Sequence, residues 1–218
     1  SVPTDAATYR LWVYDLHSFA NRSVFDDAFV DGVSIRGQVD FAVTIGGLPG
    51  HQGFSAFYSS QGGADLETLG DSIIPSPTPG TPGIKESRYY VAYSFDQYLR
   101  EADGRSGEGY GLFGQVAVSD GNPNGLRWST YLGVGGAGLF PGRSKDRWGV
   151  GYYYDGFSQS LKDSLADIQT IRDEAGFEVF YDFVLTLWCH VGADLQVIRP
   201  GLGESTAVIP GLRAVIRL

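Results

Sequence analysis

The most constraining feature of this sequence is a two-residue alternation of apolar and polar side chains that recurs along most of its 218 residues. Between residues 33 and 45, Val33 and Phe41 occupy one set of alternating positions, whereas Arg36 and Asp40 occupy the other. Because successive side chains of a strand point to opposite faces, such a segment has one apolar and one charged face. Ten segments with this pattern are predicted strands: 8–15, 33–45, 51–60, 87–99, 108–119, 126–139, 147–155, 175–186, 188–199 and 206–218.

Strand length separates the two architectures that share this alternation. Strands of a soluble β-sandwich have a usual length of ~5–6 residues, whereas a tilted membrane-spanning strand needs ~9–11. Segments such as 33–45 and 87–99 exceed the soluble length. We therefore predict an all-β fold, an antiparallel transmembrane β-barrel with about ten strands in this chain, closed alone or part of a larger barrel. The side chains predicted to point to lipid, which a sandwich would bury between two sheets, include Phe41, Tyr93, Val116, Val150, Tyr181 and Leu195.

Charge and composition exclude other classes of protein. The net charge is −9 with a pI near 4.7 and no basic cluster, which argues against a nucleic-acid partner. Cys189 is the single cysteine, so neither an intrachain disulfide nor a thiolate zinc site is expected. The three histidines are far apart in sequence, and no Gly-x-Ser-x-Gly motif occurs. We therefore expect no catalytic residues, no metal site and no cofactor.

The predicted connections alternate between short and long along the chain. The short ones are 46–50, 141–146 and 186–188, and the long ones are 16–32, 61–86 and 156–174. Bacterial outer-membrane barrels have short periplasmic turns and long outer loops, so the long segments are predicted to face outside. The connection at 100–107 is longer than this scheme expects. Acidic residues of the long segments, such as Asp65 and Asp173, are expected to be solvated.

Five ordered stretches carry a resemblance to a known family. They are GLPGHQGFSAFYSSQ (47–61), YYVAYSFDQYL (89–99), GYGLFGQVAVSDGNPN (109–124), GVGGAGLFPGRSKDRWGVGYYY (133–154) and GFEVFYDFVLTLWCHVGADLQVIRP (176–200). Together they resemble the carbohydrate-selective outer-membrane porins of Gram-negative bacteria, from about residue 30 to 218. The resemblance implies a single porin-type domain over 1–218, a water-filled lumen and passive, sugar-preferring diffusion without cofactor or energy source. Members of that family are longer, so the chain resembles their C-terminal part.

The polar face is the candidate wall of the lumen. Its cations and anions are interspersed and nearly balanced, whereas a ring of one sign would select ions. Such a wall presents hydrogen-bond donors and acceptors that suit a neutral polyol. Trp12, Tyr131, Tyr153 and Phe180 add apolar ring surfaces on the same face. The residues predicted to line the pore and contact substrate are Arg10, Arg36, Asp40, Asp96, Arg127, Glu178, Asp182, His190, Asp194 and Arg213.

Alternatives remain open at this stage. Any one of these charges could serve only to pair across strands and hold the wall together. The chain could be a non-specific porin, or a soluble β-sandwich that has the same strands and also binds carbohydrate. The expected partners are small sugars, outer-membrane lipid and lipopolysaccharide, and the oligomeric state, monomer or homotrimer, is not predicted.

Overall fold

A computed structural model describes residues 2–3, 7–16, 29, 32–73, 80–102, 105–203 and 205–216. The strands are β1 (Val2–Pro3), β2 (Ala7–Asp15), β3 (Val33–Ile45), β4 (Leu48–Ser59), β5 (Gly63–Ala64), β6 (Ile84–Lys85), β7 (Arg88–Ala102), β8 (Arg105–Ser119), β9 (Leu126–Ala137), β10 (Arg147–Phe157), β11 (Glu174–Val184), β12 (Cys189–Arg199) and β13 (Ala207–Ile216). A 3₁₀ turn (Leu66–Thr68) and the helices α1 (Leu69–Ile73) and α2 (Gln159–Ser164) lie in the connections. Among the described residues, no helix is long and apolar enough to cross a membrane.

The long strands form one antiparallel sheet in which chain order is also spatial order. Its order is β1-β2-β3-β4-β7-β8-β9-β10-β11-β12-β13, and β5 and β6 pair separately with each other. Each of the ten predicted segments corresponds to one long strand, and β3 has the predicted bounds. The predicted residues 217 and 218 lie outside the described residues. The all-β, antiparallel prediction is confirmed, with a sheet whose edge strands β1 and β13 each have one partner among the described residues.

The strand register places the predicted lipid-facing residues on one common face. Paired residues of neighbouring antiparallel strands share a face, and Tyr93 pairs with Val116, while Val150 and Leu195 both pair with Val179. In the described part of the chain, the only buried apolar side chains are Ala7 and Leu66. No second sheet of the described residues therefore covers the apolar face, which excludes the β-sandwich and agrees with a face that is solvated by lipid.

Short and long connections lie at opposite ends of the sheet. Residues 46–47, 138–146 and 185–188 connect strands at one end, where β7 ends and β8 begins as well, and we call it the short-turn end. The strand ends that flank 16–32, 60–87, 120–125, 158–173 and 200–206 lie at the other, the long-loop end. Within these connections, 17–28, 30–31, 74–79 and 204 lie outside the described residues. The expectation of a long connection at 100–107 was wrong, because β7 and β8 extend through most of that segment and leave only 103–104 between them.

Two acidic residues of the long-loop end are structural, which corrects the expectation that they are merely solvated. Asp65 accepts hydrogen bonds from Asn122 Nδ2 at 2.6 Å and from the backbone N–H of Glu67 at 3.1 Å, and it pairs with Lys85 at 3.3 Å. The hydrogen bond from Asn122 is the largest influence and lowers the pKa of Asp65. Because Asn122 precedes β9, this contact ties the β4–β7 connection to the β8–β9 connection.

Asp173 holds the β10–β11 connection against the sheet. Its carboxylate accepts from Lys162 Nζ at 2.6 Å, from the Tyr154 hydroxyl at 2.9 Å and from the backbone N–H of Phe157 at 2.8 Å. Burial raises the pKa of Asp173, but these donors lower it by more, so the carboxyl stays below its usual range. The segment that carries α2 is therefore anchored at its base.

At the short-turn end, Asp146 fastens the 138–146 turn to β11. Its side chain is 2% exposed and accepts from Arg143 Nε at 2.6 Å, the Tyr181 hydroxyl at 2.8 Å and the backbone N–H of Val184 at 3.0 Å. Burial raises the pKa of Asp146, whereas the three donors lower it by more, so the pKa lies below the ordinary value of 3.8. The turn is therefore held by a charged carboxylate whose two oxygens both accept hydrogen bonds.

Candidate functional site

The face opposite the apolar one carries all ten residues that the sequence predicts for the lumen. Arg10 pairs with Gln38, Asp96 with His51, and Phe180 with both Gly149 and Asp194. We call this surface the polar face. The remaining predicted residues fall on it by alternation with these positions or through their own cross-strand partners: Arg36, Asp40, Arg127, Glu178, Asp182, His190 and Arg213.

One charged cluster lies on β2 and β3. Arg10 forms an ion pair with Asp40, and Gln38 Nε2 donates to Asp40 Oδ1 at 2.9 Å. Arg36 Nη2 donates to Gln38 Oε1 at 3.3 Å, and its guanidinium lies 5.2 Å from the centre of the Trp12 ring. The Nε of Arg36 is buried and has no hydrogen-bond partner among the described residues. Donors and acceptors thus alternate along this cluster, beside an aromatic surface.

A second charged cluster lies on β10 to β13, towards the short-turn end. His190 Nδ1 is 3.3 Å from Asp182 Oδ2, and both side chains are partly exposed. The cluster lines a groove of about 340 Å³. Half of the predicted lumen residues meet here, together with Arg147, which pairs with Asp182 in the sheet. The charged and titratable side chains of the groove are Arg147, Glu178, Asp182, His190, Asp194 and Arg213.

Aromatic rings cover glycines on the polar face of β8 to β11. Phe113 lies over Gly133, Phe180 over Gly149 and Tyr153 over Gly176, each ring on the strand next to its glycine. A Cβ at Gly149 would stand 2.5 Å from Phe180 Cε1. Because no side chain stands beneath them, these rings lie across the wall. They present flat apolar surfaces to the lumen side.

Two of the predicted residues lie apart from the clusters. His51 Nδ1 is 3.0 Å from Asp96 Oδ2, and these two side chains form a separate exposed pair on β4 and β7. Arg127 lies at the long-loop end, where its Nη1 donates to the backbone carbonyl of Ser119. That bond commits part of the Arg127 guanidinium to the wall. Across the part of the chain that the structure describes, no three His, Cys, Asp or Glu side chains are placed to share a metal ion.

Sequence reasoning missed three residues of the polar face. Phe113 was not among the predicted ring surfaces, and neither were Phe57 and Tyr90, whose rings stack at 5.3 Å between centroids. The alternation is broken at Phe113 because Leu112 precedes it, and apolar neighbours leave a strand's face ambiguous. The available signal was the glycine at position 133, since a ring in a sheet often covers a neighbouring glycine.

Comparison with known proteins places this sheet in a family. The family model described as carbohydrate-selective porin, OprB family, matches residues 4–218. The chain belongs to the OprB family of carbohydrate-selective porins. It is a bacterial outer-membrane protein, and its family consists of transport channels rather than enzymes. None of the curated proteins matches the chain.

A solved structure supports the fold of this porin. The chain is similar to the Pseudomonas putida OprB structure determined at high pH, with a TM-score of 0.80 and 21% sequence identity. The match covers 98% of this chain and 56% of that one, so the chain spans about half the length of the solved porin. At this identity the likeness establishes the fold alone, an antiparallel sheet that is consistent with part of a porin-type β-barrel.

Proposed function

We propose that this chain supplies part of the wall of a water-filled pore through which small sugars diffuse passively, without cofactor or energy source. The observation that carries the proposal is the polar face itself. It has two clusters in which cations and anions are interspersed, with flat aromatic rings on the same face, opposite a face that meets lipid. Membership in a carbohydrate-selective family supports the same substrate class.

The proposed mechanism is exchange of weak contacts along the wall. Arg36, Asp40, Glu178, Asp182 and Arg213 replace water at sugar hydroxyls, because guanidinium groups donate and carboxylates accept. The aromatic rings contact the apolar faces of pyranose rings. A permeating solute has to leave as readily as it enters, so association stays in the millimolar range, about 4 kcal/mol.

The same proposal includes completion of the barrel. We infer that 1–218 forms a single porin-type domain and that further strands pair with the outer edges of β1 and β13. Two observations support this inference: each edge strand has one partner among the described residues, and the match spans 56% of the solved porin. The apolar face then meets outer-membrane lipid, with lipopolysaccharide on the outer side.

Removal of the β2–β3 cluster is expected to weaken sugar binding. Single-channel recording of the reconstituted, closed barrel should show small-ion current that mono- or disaccharide blocks reversibly. Replacing Arg36 and Asp40 together by alanine should raise the sugar concentration for half block about tenfold. Hydrogen bonds to charged groups are each worth about 1.5–3 kcal/mol, and water that binds the sugar in the variant compensates for part of the loss. The matched control is Asp167→Ala with Arg172→Ala, which removes one acid and one base from the exposed 158–173 connection.

The recording separates the competing functions. An open pore whose current is indifferent to sugars would leave a non-specific porin. Hydrolysis of the sugar in the chamber would contradict a passive pore. Equal loss of block in the double variant and in its control would remove the β2–β3 cluster from the proposal.

Orientation is a separate expectation, which rests on the length of the connections: the long-loop end faces outside and the short-turn end the periplasm. In a Cys189→Ala background, Asp167→Cys should react with a membrane-impermeant maleimide on intact cells, because residue 167 is exposed at the long-loop end. Ser144→Cys, exposed at the short-turn end, should react only after the cells are permeabilised. Labelling of Ser144→Cys alone on intact cells would reverse the orientation.

A further inference from the structure

An irregularity in β7 turns one arginine towards the lipid side of the sheet. Simple alternation from Tyr98, which pairs with Gly111, would leave Arg100 on the polar face. The register shifts between Tyr98 and Arg100, so that Arg100 pairs with Tyr110 instead. Tyr110 belongs to the apolar face, because it pairs with Gly136, and Gly136 pairs on its other side with Trp148 of the apolar face. A bulge that re-aims a side chain is a common device near functional positions.

Arg100 lines a groove at the short-turn end. The groove has a volume of about 390 Å³ and lies between the β7–β8 hairpin and the 138–146 turn. Arg100 is exposed and forms no ion pair with any residue that the structure describes. Ser144, Tyr110, Phe140 and Glu101 also line the groove. A cation, a hydroxyl and two rings therefore converge on one space.

The groove lies at the level where lipid headgroups are expected. Aromatic side chains cluster around this end of the apolar face, with ring centroids 5.7 Å apart for Tyr110 and Trp148 and 5.7 Å apart for Phe140 and Tyr181. Outer-membrane barrels carry such aromatic girdles at both membrane interfaces. A phosphate group at this depth is the commonest anion that a lipid-facing arginine meets.

The 138–146 turn is pre-organised for such a ligand. Asp146 binds Arg143, whose guanidinium also lies 5.9 Å from the centre of the Phe183 ring. Lys145 is exposed on the same turn and has no ion-pair partner in the described part of the chain. The turn therefore adds positive potential beside Arg100 and keeps Ser144 in place, which reduces the ordering cost of binding.

We propose that this groove binds the phosphodiester headgroup of a glycerophospholipid in the leaflet at the short-turn end. Arg100 donates to the phosphate oxygens and Ser144 Oγ donates one further hydrogen bond, while Tyr110 and Phe140 flank the glycerol and the first acyl carbons. The assignment of that leaflet as periplasmic rests on the orientation proposed above.

The test is lipid retention by the purified porin in detergent, measured by native mass spectrometry with phosphatidylglycerol as the probe and no sugar present. Arg100→Gln should raise the lipid concentration for half occupancy about tenfold, since one charge-assisted hydrogen-bond donor group is lost. The matched control is Arg199→Gln, which removes an exposed arginine from the apolar face at the opposite end of the sheet. Arg100→Lys should restore part of the affinity.

Each outcome decides the proposal. Wild-type retention by Arg100→Gln, or an equal loss in Arg199→Gln, would overturn it, as would complete displacement of the lipid by inorganic phosphate, which would indicate a free-anion site. If Arg100→Gln does not fold, as judged by its heat-modifiable mobility, Ser144→Glu places an acid in the same groove from an exposed turn and should reduce retention similarly. Lipid retention is independent of sugar block, so failure here leaves the pore proposal intact.

Discussion

Replacement of Asp146 by alanine is expected to destabilise the folded barrel by about 3 kcal/mol. The change removes the common acceptor of three groups, the Arg143 guanidinium, the Tyr181 hydroxyl and the Val184 backbone N–H. Each lost hydrogen bond from these partly buried donors, one of which is charged, costs about 1–3 kcal/mol before relaxation and water reduce the sum. Urea titration in lipid vesicles, followed by tryptophan fluorescence, measures the change. Asp167→Ala, on an exposed loop, should stay within about 0.5 kcal/mol of the wild type.

The same residue gives the stability of the barrel a defined pH dependence. The pKa of Asp146 is lower in the folded state than its ordinary value of 3.8, so the unfolded chain binds more protons in that range. The stabilisation is therefore complete above pH 3.8 and decreases as the pH falls through the lower folded value. Asp146→Asn, which keeps the shape and one acceptor oxygen, should flatten this acid limb. An unchanged acid limb in Asp146→Asn would contradict the assignment.

The faces of the sheet could be predicted because they depend only on local alternation. A strand such as β3 needs no distant partner to show that Phe41 and Asp40 point in opposite directions. Long strands, the opposed connection lengths and the common face of the candidate site all follow from that one pattern. A single register slip would have moved every side chain of a strand to the other face, so the agreement of ten strands is a strong constraint.

What the sequence did not predict depends on contacts across strands. Simple alternation would assign Arg100 to the polar face, and only the bulge in β7 places it on the apolar face. Asp146 lies in a turn of polar residues, and its partners Tyr181 and Val184 are 35 and 38 positions away. The ring over Gly149 belongs to Phe180, which only the β10–β11 register brings opposite. The bulge in β7, the hydrogen bonds of Asp146 and the ring–glycine pair all depend on strand register. Register is set by two strands together and cannot be derived from either strand alone.

Replacement of Gly149 by alanine is expected to lower the affinity of the pore for sugar by about 2–10-fold. The new Cβ would stand 2.5 Å from Phe180 Cε1 and 2.9 Å from Cζ, which is too close for the ring to remain. Phe180 therefore turns away from the wall, and the flat surface offered to a pyranose ring is lost. Ring contacts of this kind contribute about 0.5–1.5 kcal/mol, which gives the stated range. The sugar concentration for half block in single-channel recording measures it.

Gly151→Ala is the matched control for this change, on the same strand and the same face. A Cβ at Gly151 meets only the Leu132 carbonyl oxygen at 3.9 Å, an ordinary contact, so sugar block should match that of the wild type. If displacement of Phe180 is the cause, Gly149→Ala should have no further effect in a Phe180→Ala background, because coupled residues are not additive. Full additivity of the two changes, or equal loss in Gly151→Ala, would mean that Gly149→Ala does not act by displacing the Phe180 ring.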